Sequence, residues 1–209
     1  MTHRILRGLA LPALSGVILA LALPASADPY AADVFAASYK LEAKKQYGDA
    51  AKSMEPLAAK GNEFAQLRVA WLAYLQGKYD ISEKAYAVVI ERKPQAIEAR
   101  LGRMLPLMAA KRWDDAIAEG NAVLALSAWD YAAHVRILAC EEALGQWDGL
   151  EKHAIQLVAV FPSDATALVY LARARANKGD TTAAKEAYDQ VLERAPSNAE
   201  AQAQLKKLK

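Results

Sequence analysis

The chain has 209 residues, 54% hydrophobic and 24% charged, with one cysteine and a formal net charge of +2. These values exclude a disordered tail protein, a disulfide framework, a cysteine-based zinc site and a charge-based case for nucleic acid. Alanine occurs 47 times against 10 glycines and 8 prolines, too few turn residues for a sandwich or barrel, so the chain reads as helical almost throughout.

Residues 1–27 read as a cleaved signal peptide. Arg4 and Arg7 form a basic head, and an apolar run from Leu9 to Leu23 is broken only by Pro12, Ser15 and Gly16. Pro24 ends the run, and Ala25-Ser26-Ala27 offers small residues to a peptidase, leaving Asp28 first in the mature chain. The run falls short of the ~20 apolar residues that a bilayer span needs, which favours cleavage over an uncleaved anchor. No cysteine follows it, so a lipoprotein anchor is excluded. Loss of Arg4 and Arg7 leaves 24 basic and 24 acidic residues, and a neutral mature chain gives no support to a membrane surface or nucleic acid as partner. The expected location is the periplasm, with no integral membrane segment after cleavage.

From there helices are predicted, in chain order, at about 31–45, 49–60, 63–76, 81–92, 96–110, 115–127, 131–144, 149–161, 165–178, 183–194 and 199–208. An internal period organises them. Tyr47, Tyr79, Trp113 and Trp147 are spaced by 32, 34 and 34 residues, and Gly179-Asp180 keeps the next turn. Pro94, Pro162 and Pro196, with Ala128 in register, mark a second turn in each period. Asp80, Asp114, Asp148 and Thr182 recur every 34 residues and are expected to cap the second helices, with Glu83 and Glu151 completing capping boxes. Asp130, Asp164 and Asn198 have the same spacing and are expected to cap the first helices of their units. Two caps per period give repeats at about 31–62, 63–96, 97–130, 131–164 and 165–198, and a cap helix at 199–208 whose Gln202, Gln204, Lys206 and Lys207 suit an open array end.

Helices this short are marginal alone in water, so stability has to come from stacking, and abundant alanine lets helix axes approach. Pro56 is expected to bend or shorten its helix. Pro106 is expected to kink another, with Gly102 four residues earlier relieving the ring clash. Cys140, among Ile137, Leu138 and Leu144, is expected to be a buried structural thiol.

Gly77-Lys78-Tyr79-Asp80 with Tyr86 and Pro94, and Gly179-Asp180 with Ala184, Tyr188 and Pro196, resemble units of the tetratricopeptide repeat (TPR) family. The stretch from Tyr47 to Tyr79, with Ala58-Ala59-Lys60-Gly61-Asn62 and Ala65-Gln66, also resembles the related Sel-type repeat. The resemblance covers about 31–209 and implies an all-α fold: a right-handed α-solenoid of about five TPR-like helix–turn–helix repeats plus a C-terminal capping helix, one domain over 28–209. The facing small pairs of the family pattern are kept at Ala70/Ser82 and Ala172/Ala184 but replaced by Leu138/Leu150. Gly120 and Ala154 stand where an aromatic is usual, so volume is expected to be exchanged within the unit.

Catalytic signatures are missing. His134 and His153 lie 19 residues apart on different helices, with no His or Cys at ligand spacing, and no phosphate loop, nucleophile elbow or zincin motif is present. Adjacent Glu141 and Glu142 point about 100° apart on a helix and read as a solvated face. The expectation is a non-enzymatic chain without cofactor or metal. What remains is binding. The family pattern places one face of the first helices along a concave groove, implying a peptide-binding set of Phe35, Tyr39, Phe64, Arg68, Trp71, Tyr74, Met108, Arg136, Tyr170 and Arg173. Trp71 and Tyr74 fit either a groove or a packing role. Tyr39, Trp71, Leu105 and Ala139 stand where a carboxylate clamp would carry Asn, which argues against a clamp of that type. The main reading is an exported scaffold that binds a protein or peptide partner. The alternatives are a structural component that self-associates through the solenoid ends, and an accessory factor that presents a secreted polypeptide to a membrane machine.

Overall fold

The computed structural model describes residues 29–208, and the signal segment lies outside the described residues. Eleven α-helices follow one another within it: α1 (Pro29–Ala43), α2 (Tyr47–Ala59), α3 (Glu63–Leu75), α4 (Tyr79–Arg92), α5 (Ile97–Ala109), α6 (Trp113–Leu126), α7 (Tyr131–Ala143), α8 (Trp147–Val160), α9 (Ala165–Asn177), α10 (Thr181–Arg194) and α11 (Ala199–Lys207). Each packs on its chain neighbour, and α3 also touches α5, α5 touches α7 and α7 touches α9. This is the predicted α-solenoid of five helical pairs and a closing helix. The odd-numbered helices form its inner layer.

Two turn types alternate, and backbone hydrogen bonds explain both. Within each pair the first helix closes in a Schellman motif. After α3, Gly77 N–H donates to the Tyr74 carbonyl and Lys78 N–H to the Ala73 carbonyl, with Gly77 at φ +74°. The same closure follows α5, where Lys111 takes φ +58°. From the second pair onward, a four-residue turn joins one pair to the next and carries the proline at its second position, whereas α2 and α3 are joined by a further Schellman closure, with Gly61 at φ +84° donating to the Ala58 carbonyl and Asn62 N–H to the Leu57 carbonyl. Ala96 N–H donates to the Lys93 carbonyl, Asp164 N–H to Phe161 and Asn198 N–H to Ala195, while Ser127 to Asp130 makes the same turn with Ala128 in place of proline.

The Schellman closure corrects the expected caps of the second helices. It ends on Lys78, Arg112 and Gln146, and the next helix begins at the following residue, two earlier than predicted. Asp80, Asp114 and Asp148 therefore fall inside the first turn, and α4, α6 and α8 have no side-chain cap. There they oppose the positive end of the helix dipole instead. Thr182 likewise lies within α10, whose cap is Asp180, accepting from Ala183 N–H at 2.9 Å. The capping boxes are absent too: Glu83 and Glu151 reach the next repeat. Asp130, Asp164 and Asn198 cap α7, α9 and α11 as expected, and Asn62 does the same for α3.

Facing pairs twelve residues apart set how the helices of a repeat meet. Ser38 Oγ donates to the Ala50 carbonyl at 3.0 Å and Ser82 Oγ to the Ala70 carbonyl at 2.8 Å, so a serine satisfies itself where only a small residue fits. Ala172 and Ala184 are fully buried, as are Leu138 and Leu150. The largest continuous core runs through α7 to α11 around Leu138, Leu150, Leu157, Leu168, Leu171, Tyr188 and Val191. Smaller clusters join α2 to α3 through Met54, Leu57 and Ala65, and α5 to α7 through Leu107, Ala116 and Cys140.

The helices α2 and α5 run unbroken through Pro56 and Pro106. Gly102 serves a different neighbour from the one expected. A Cβ there would overlap the buried ring of Tyr86, so the glycine admits Tyr86 of the preceding helix. At Gly120 a Cβ would fall 2.7 Å from Ile137 Cγ1 and 3.0 Å from Met104 Cε. Volume is thus traded across adjacent repeats as well as within one.

Candidate functional site

Because α1 and α3 lie side by side on the inner layer, residues one turn apart on each helix line a common wall. Phe35 and Tyr39 of α1 and Phe64, Leu67, Arg68 and Trp71 of α3 line a cleft of about 450 Å³, to which Tyr86 of α4 and Glu98 of α5 also contribute. Tyr39 is 58% exposed and Phe64 67%, the highest exposures of large apolar side chains among the described residues.

Arg68 holds this wall rigid. It is 6% exposed, its Nε donates to Ser38 Oγ at 2.8 Å and its Nη2 lies 2.8 Å from Glu42 Oε2. Its guanidinium sits 3.6 Å from the centre of the Tyr39 ring. Glu42 Oε1 also accepts from Trp71 Nε1 at 2.9 Å, and Trp71 stacks on Tyr74 at 5.5 Å. One carboxylate of α1 therefore positions both the cation and the indole of α3. Arg68 is neutralised from within, and the cleft it backs is aromatic rather than cationic.

Of the ten residues predicted for the groove, Phe35, Tyr39, Phe64, Arg68 and Trp71 converge on this cleft. Tyr74 lies behind it, between Trp71 and Tyr79. Met108 packs beside the cluster of Leu107, Ala116 and Cys140. Arg136 reaches back one repeat and donates to the Leu101 carbonyl, and burial holds its guanidinium below the usual arginine range. Tyr170 and Arg173 line a separate hollow of about 260 Å³ with Thr166, Val169, Asn198 and Glu200.

Arg173 is the C-terminal counterpart of Arg68. Its Nε and Nη2 bind the two Glu200 oxygens at 2.7 and 2.5 Å, and its Nη1 binds Glu142 Oε2 at 3.0 Å. The hydrogen bond to Glu200 raises the Arg173 pKa and, reciprocally, holds the Glu200 carboxyl below its usual range. The three predicted groove arginines thus tie neighbouring repeats together. Glu142 and Glu141 are correspondingly partnered rather than a solvated face: Glu142 binds Arg173, and Glu141 binds His153 at 3.0 Å.

Further ion pairs link separate helices, within the third repeat for Glu119 and between neighbouring repeats for Glu83 and Glu151, where spacing along one helix gives no signal. Glu83 binds Arg103 at 2.9 Å and Arg112 at 2.6 Å, Glu119 binds Arg100 and Arg103, and Glu151 binds Arg175 and Lys178. Lys178 holds the carboxyls of Asp148 and Glu151 below their usual range. Cys140 is fully buried, and burial pushes its thiol up to about 11. His134 and His153, distant in sequence, lie in hydrogen-bond contact; the signal was available in their position on either side of the tight turn that follows α7.

The Tetratricopeptide repeat family profile matches residues 67–133 and 141–199. No curated protein sequence matches the chain. Among solved structures, a tetratricopeptide repeat protein from Parabacteroides merdae superposes with a TM-score of 0.74 at 14% identity, covering 85% of this chain and 71% of that one. PilW, described as a widely conserved type IV pilus biogenesis factor, gives 0.71 at 19% identity over 87% and 86% of the two chains. YrrB, described as a TPR protein with an unusual peptide-binding site, gives 0.68 at 13% identity over 83% and 90%.

Proposed function

The chain belongs to the tetratricopeptide repeat family, and on that premise we propose that it is an exported, non-enzymatic interaction scaffold that holds a segment of a partner protein in its groove. The observation that carries the reading is the aromatic cleft between α1 and α3. Tyr39 and Phe64 stay 58% and 67% exposed while Arg68, Ser38, Glu42 and Trp71 fix the wall behind them. Rigid aromatics with an open side are what interface hot spots are made of. With Arg68 already bound to Glu42, and Glu98 in the cleft lining, the wall favours an apolar anchor residue over an acidic one. The peptide-binding site named for YrrB and the pilus biogenesis role named for PilW support a scaffold reading. Among the described residues no helix is long and apolar enough to cross a membrane.

The test is a crosslinking pull-down from envelope extract with wild type and a Tyr39→Ala, Phe64→Ala double variant. Loss of one specific crosslinked partner, with an unchanged circular dichroism spectrum, is the expected result. Capture at the wild-type level would move the binding surface elsewhere. Export is checked separately: the protein released by osmotic shock should begin at Asp28.

A further inference from the structure

His134 of α7 and His153 of α8 face each other with His134 Nδ1 2.8 Å from His153 Nε2. Their outer nitrogens are engaged too. His134 Nε2 lies 3.0 Å from the Ala128 carbonyl oxygen, and His153 Nδ1 lies 3.0 Å from Glu141 Oε2. The rings are 7% and 13% exposed, and Trp129 stacks on His134 at 5.5 Å.

Counting protons along this chain gives a definite charge. A carbonyl oxygen only accepts, so His134 Nε2 carries a hydrogen; an ionised carboxylate only accepts, so His153 Nδ1 carries one. One more hydrogen lies between the facing nitrogens. The three bonds together need three ring N–H groups, whereas two neutral imidazoles have two. The full chain therefore exists only with one added proton on the pair, its charge beside Glu141. Without it, two bare lone pairs meet or one ring gives up an outer bond. With a second, two N–H groups and two cations meet at 2.8 Å. A shared tetrahedral zinc would hold its two nitrogens about 3.3 Å apart, given bonds of ~2.0–2.1 Å, so the observed separation fits a proton.

The pair sits where it has mechanical leverage. The helices α7 and α8 touch less extensively than the two helices of any other repeat. Beside the pair is a cleft of about 410 Å³, to which α6 contributes Ile117, Asn121 and Leu124, none charged. The charged groups facing the pair are Asp130 and Glu141 from α7 and its cap, and Lys152 from α8.

We propose that His134 and His153 form a one-proton binding site that clamps α7 to α8. Singly protonated, the pair closes the fourth repeat; deprotonated or doubly protonated, it loosens that joint and opens the adjoining cleft. Burial holds His134 below the ordinary histidine range, and the hydrogen bond to the Ala128 carbonyl opposes that shift. Both unfolded histidines titrate near ~6.5. Completing all three hydrogen bonds favours the first proton in the folded pair over the unfolded chain, so its stabilisation is lost as pH rises through the upper step. The second is bound less tightly, so stability also falls as pH drops below ~6.5. The joint is tightest between the two steps.

The test is imidazole nitrogen NMR on the full chain across both steps, with signals assigned from His134→Gln and His153→Gln. Two macroscopic steps at least about one pH unit apart are expected, with three ring N–H groups present between them. Amide exchange in α7 and α8, normalised to α3 and α4, should slow about tenfold between the steps relative to above the upper one, a ratio equivalent to one pH unit. This dependence should vanish in His153→Gln. Two histidines titrating together near ~6.5 would overturn the proposal. So would exchange in α7 and α8 that tracks α3 and α4 at every pH, or added zinc ion that shifts both rings at equimolar concentration. If His153→Gln does not fold, the wild-type titration decides alone.

Discussion

The ring of Tyr86 occupies the space that a side chain on Gly102 would need, and through that contact α4 locks onto α5 of the next repeat. Tyr86 is 4% exposed, and burial pushes its phenol up to about 12, so it is held neutral in a dry contact.

This makes two glycine substitutions move in opposite directions. Gly102→Ala gains helix propensity but forces a Cβ into a buried ring, and should destabilise by about 1–3 kcal/mol. At Gly149 in α8 nothing lies within 4 Å of where a Cβ would stand, so Gly149→Ala should stabilise by up to about 1 kcal/mol. Urea denaturation of the two variants checks both signs. Equal effects would contradict the packing argument.

The corrected caps make a second comparison. Asp180→Ala and Asn198→Ala each remove a side chain that accepts a helix N–H at 2.9 Å, and should each cost about 1 kcal/mol. Asp80→Ala removes no cap bond and should cost clearly less. Thermal unfolding of the three variants gives the ranking, and a loss for Asp80→Ala as large as the others would restore the cap first expected there.

A third expectation concerns acid. Glu200 has a folded pKa held below its unfolded value by Arg173. Its contribution is therefore present above the usual glutamate range of about 4.3 and is lost as pH falls through the lower, folded value. Since Glu200 ties α11 to α9 through Arg173, acidification should loosen the closing helix before the rest of the array. Amide exchange in α11 should speed up below about pH 4, and Glu200→Gln should show the fast exchange already at neutral pH. The partly exposed pair is worth about 1 kcal/mol or less.

Arg68 and its neighbours separate scaffold from surface. Arg68→Ala strips Glu42 of its cation, leaves the Ser38 hydroxyl without its donor and removes the charge over Tyr39, and should cost about 2–3 kcal/mol. Phe64→Ala, at an exposed position, should change stability by less than about 0.5 kcal/mol. Chemical denaturation midpoints decide this. A large loss for Phe64→Ala would make it a packing residue and remove it from the proposed cleft.

The amino-acid order carries whatever is written in local chemistry. The 34-residue period, the prolines at Pro94, Pro162 and Pro196 and the caps at Asp130, Asp164 and Asn198 all act over a few residues, and together they fixed the number of helices and the repeat architecture. The aromatics Tyr79, Trp113 and Trp147 marked the right turns, but the start of the helices they open lay two residues earlier than Asp80, Asp114 and Asp148 suggested. That shift came from the Schellman closure of the preceding helix, a backbone pattern that glycine marks at Gly77 and Gly145 but that Lys111 adopts at φ +58° with no such residue preference. Which side chains meet follows from the assembled fold alone. The rotation of each helix about its axis turned Arg68, Arg136 and Arg173 onto neighbouring repeats, brought His134 to His153 and set Tyr86 against Gly102. Sequence spacing constrains one helix face at a time, whereas these contacts depend on how two faces are set against each other, and packing fixes that rotation only when the whole array is assembled.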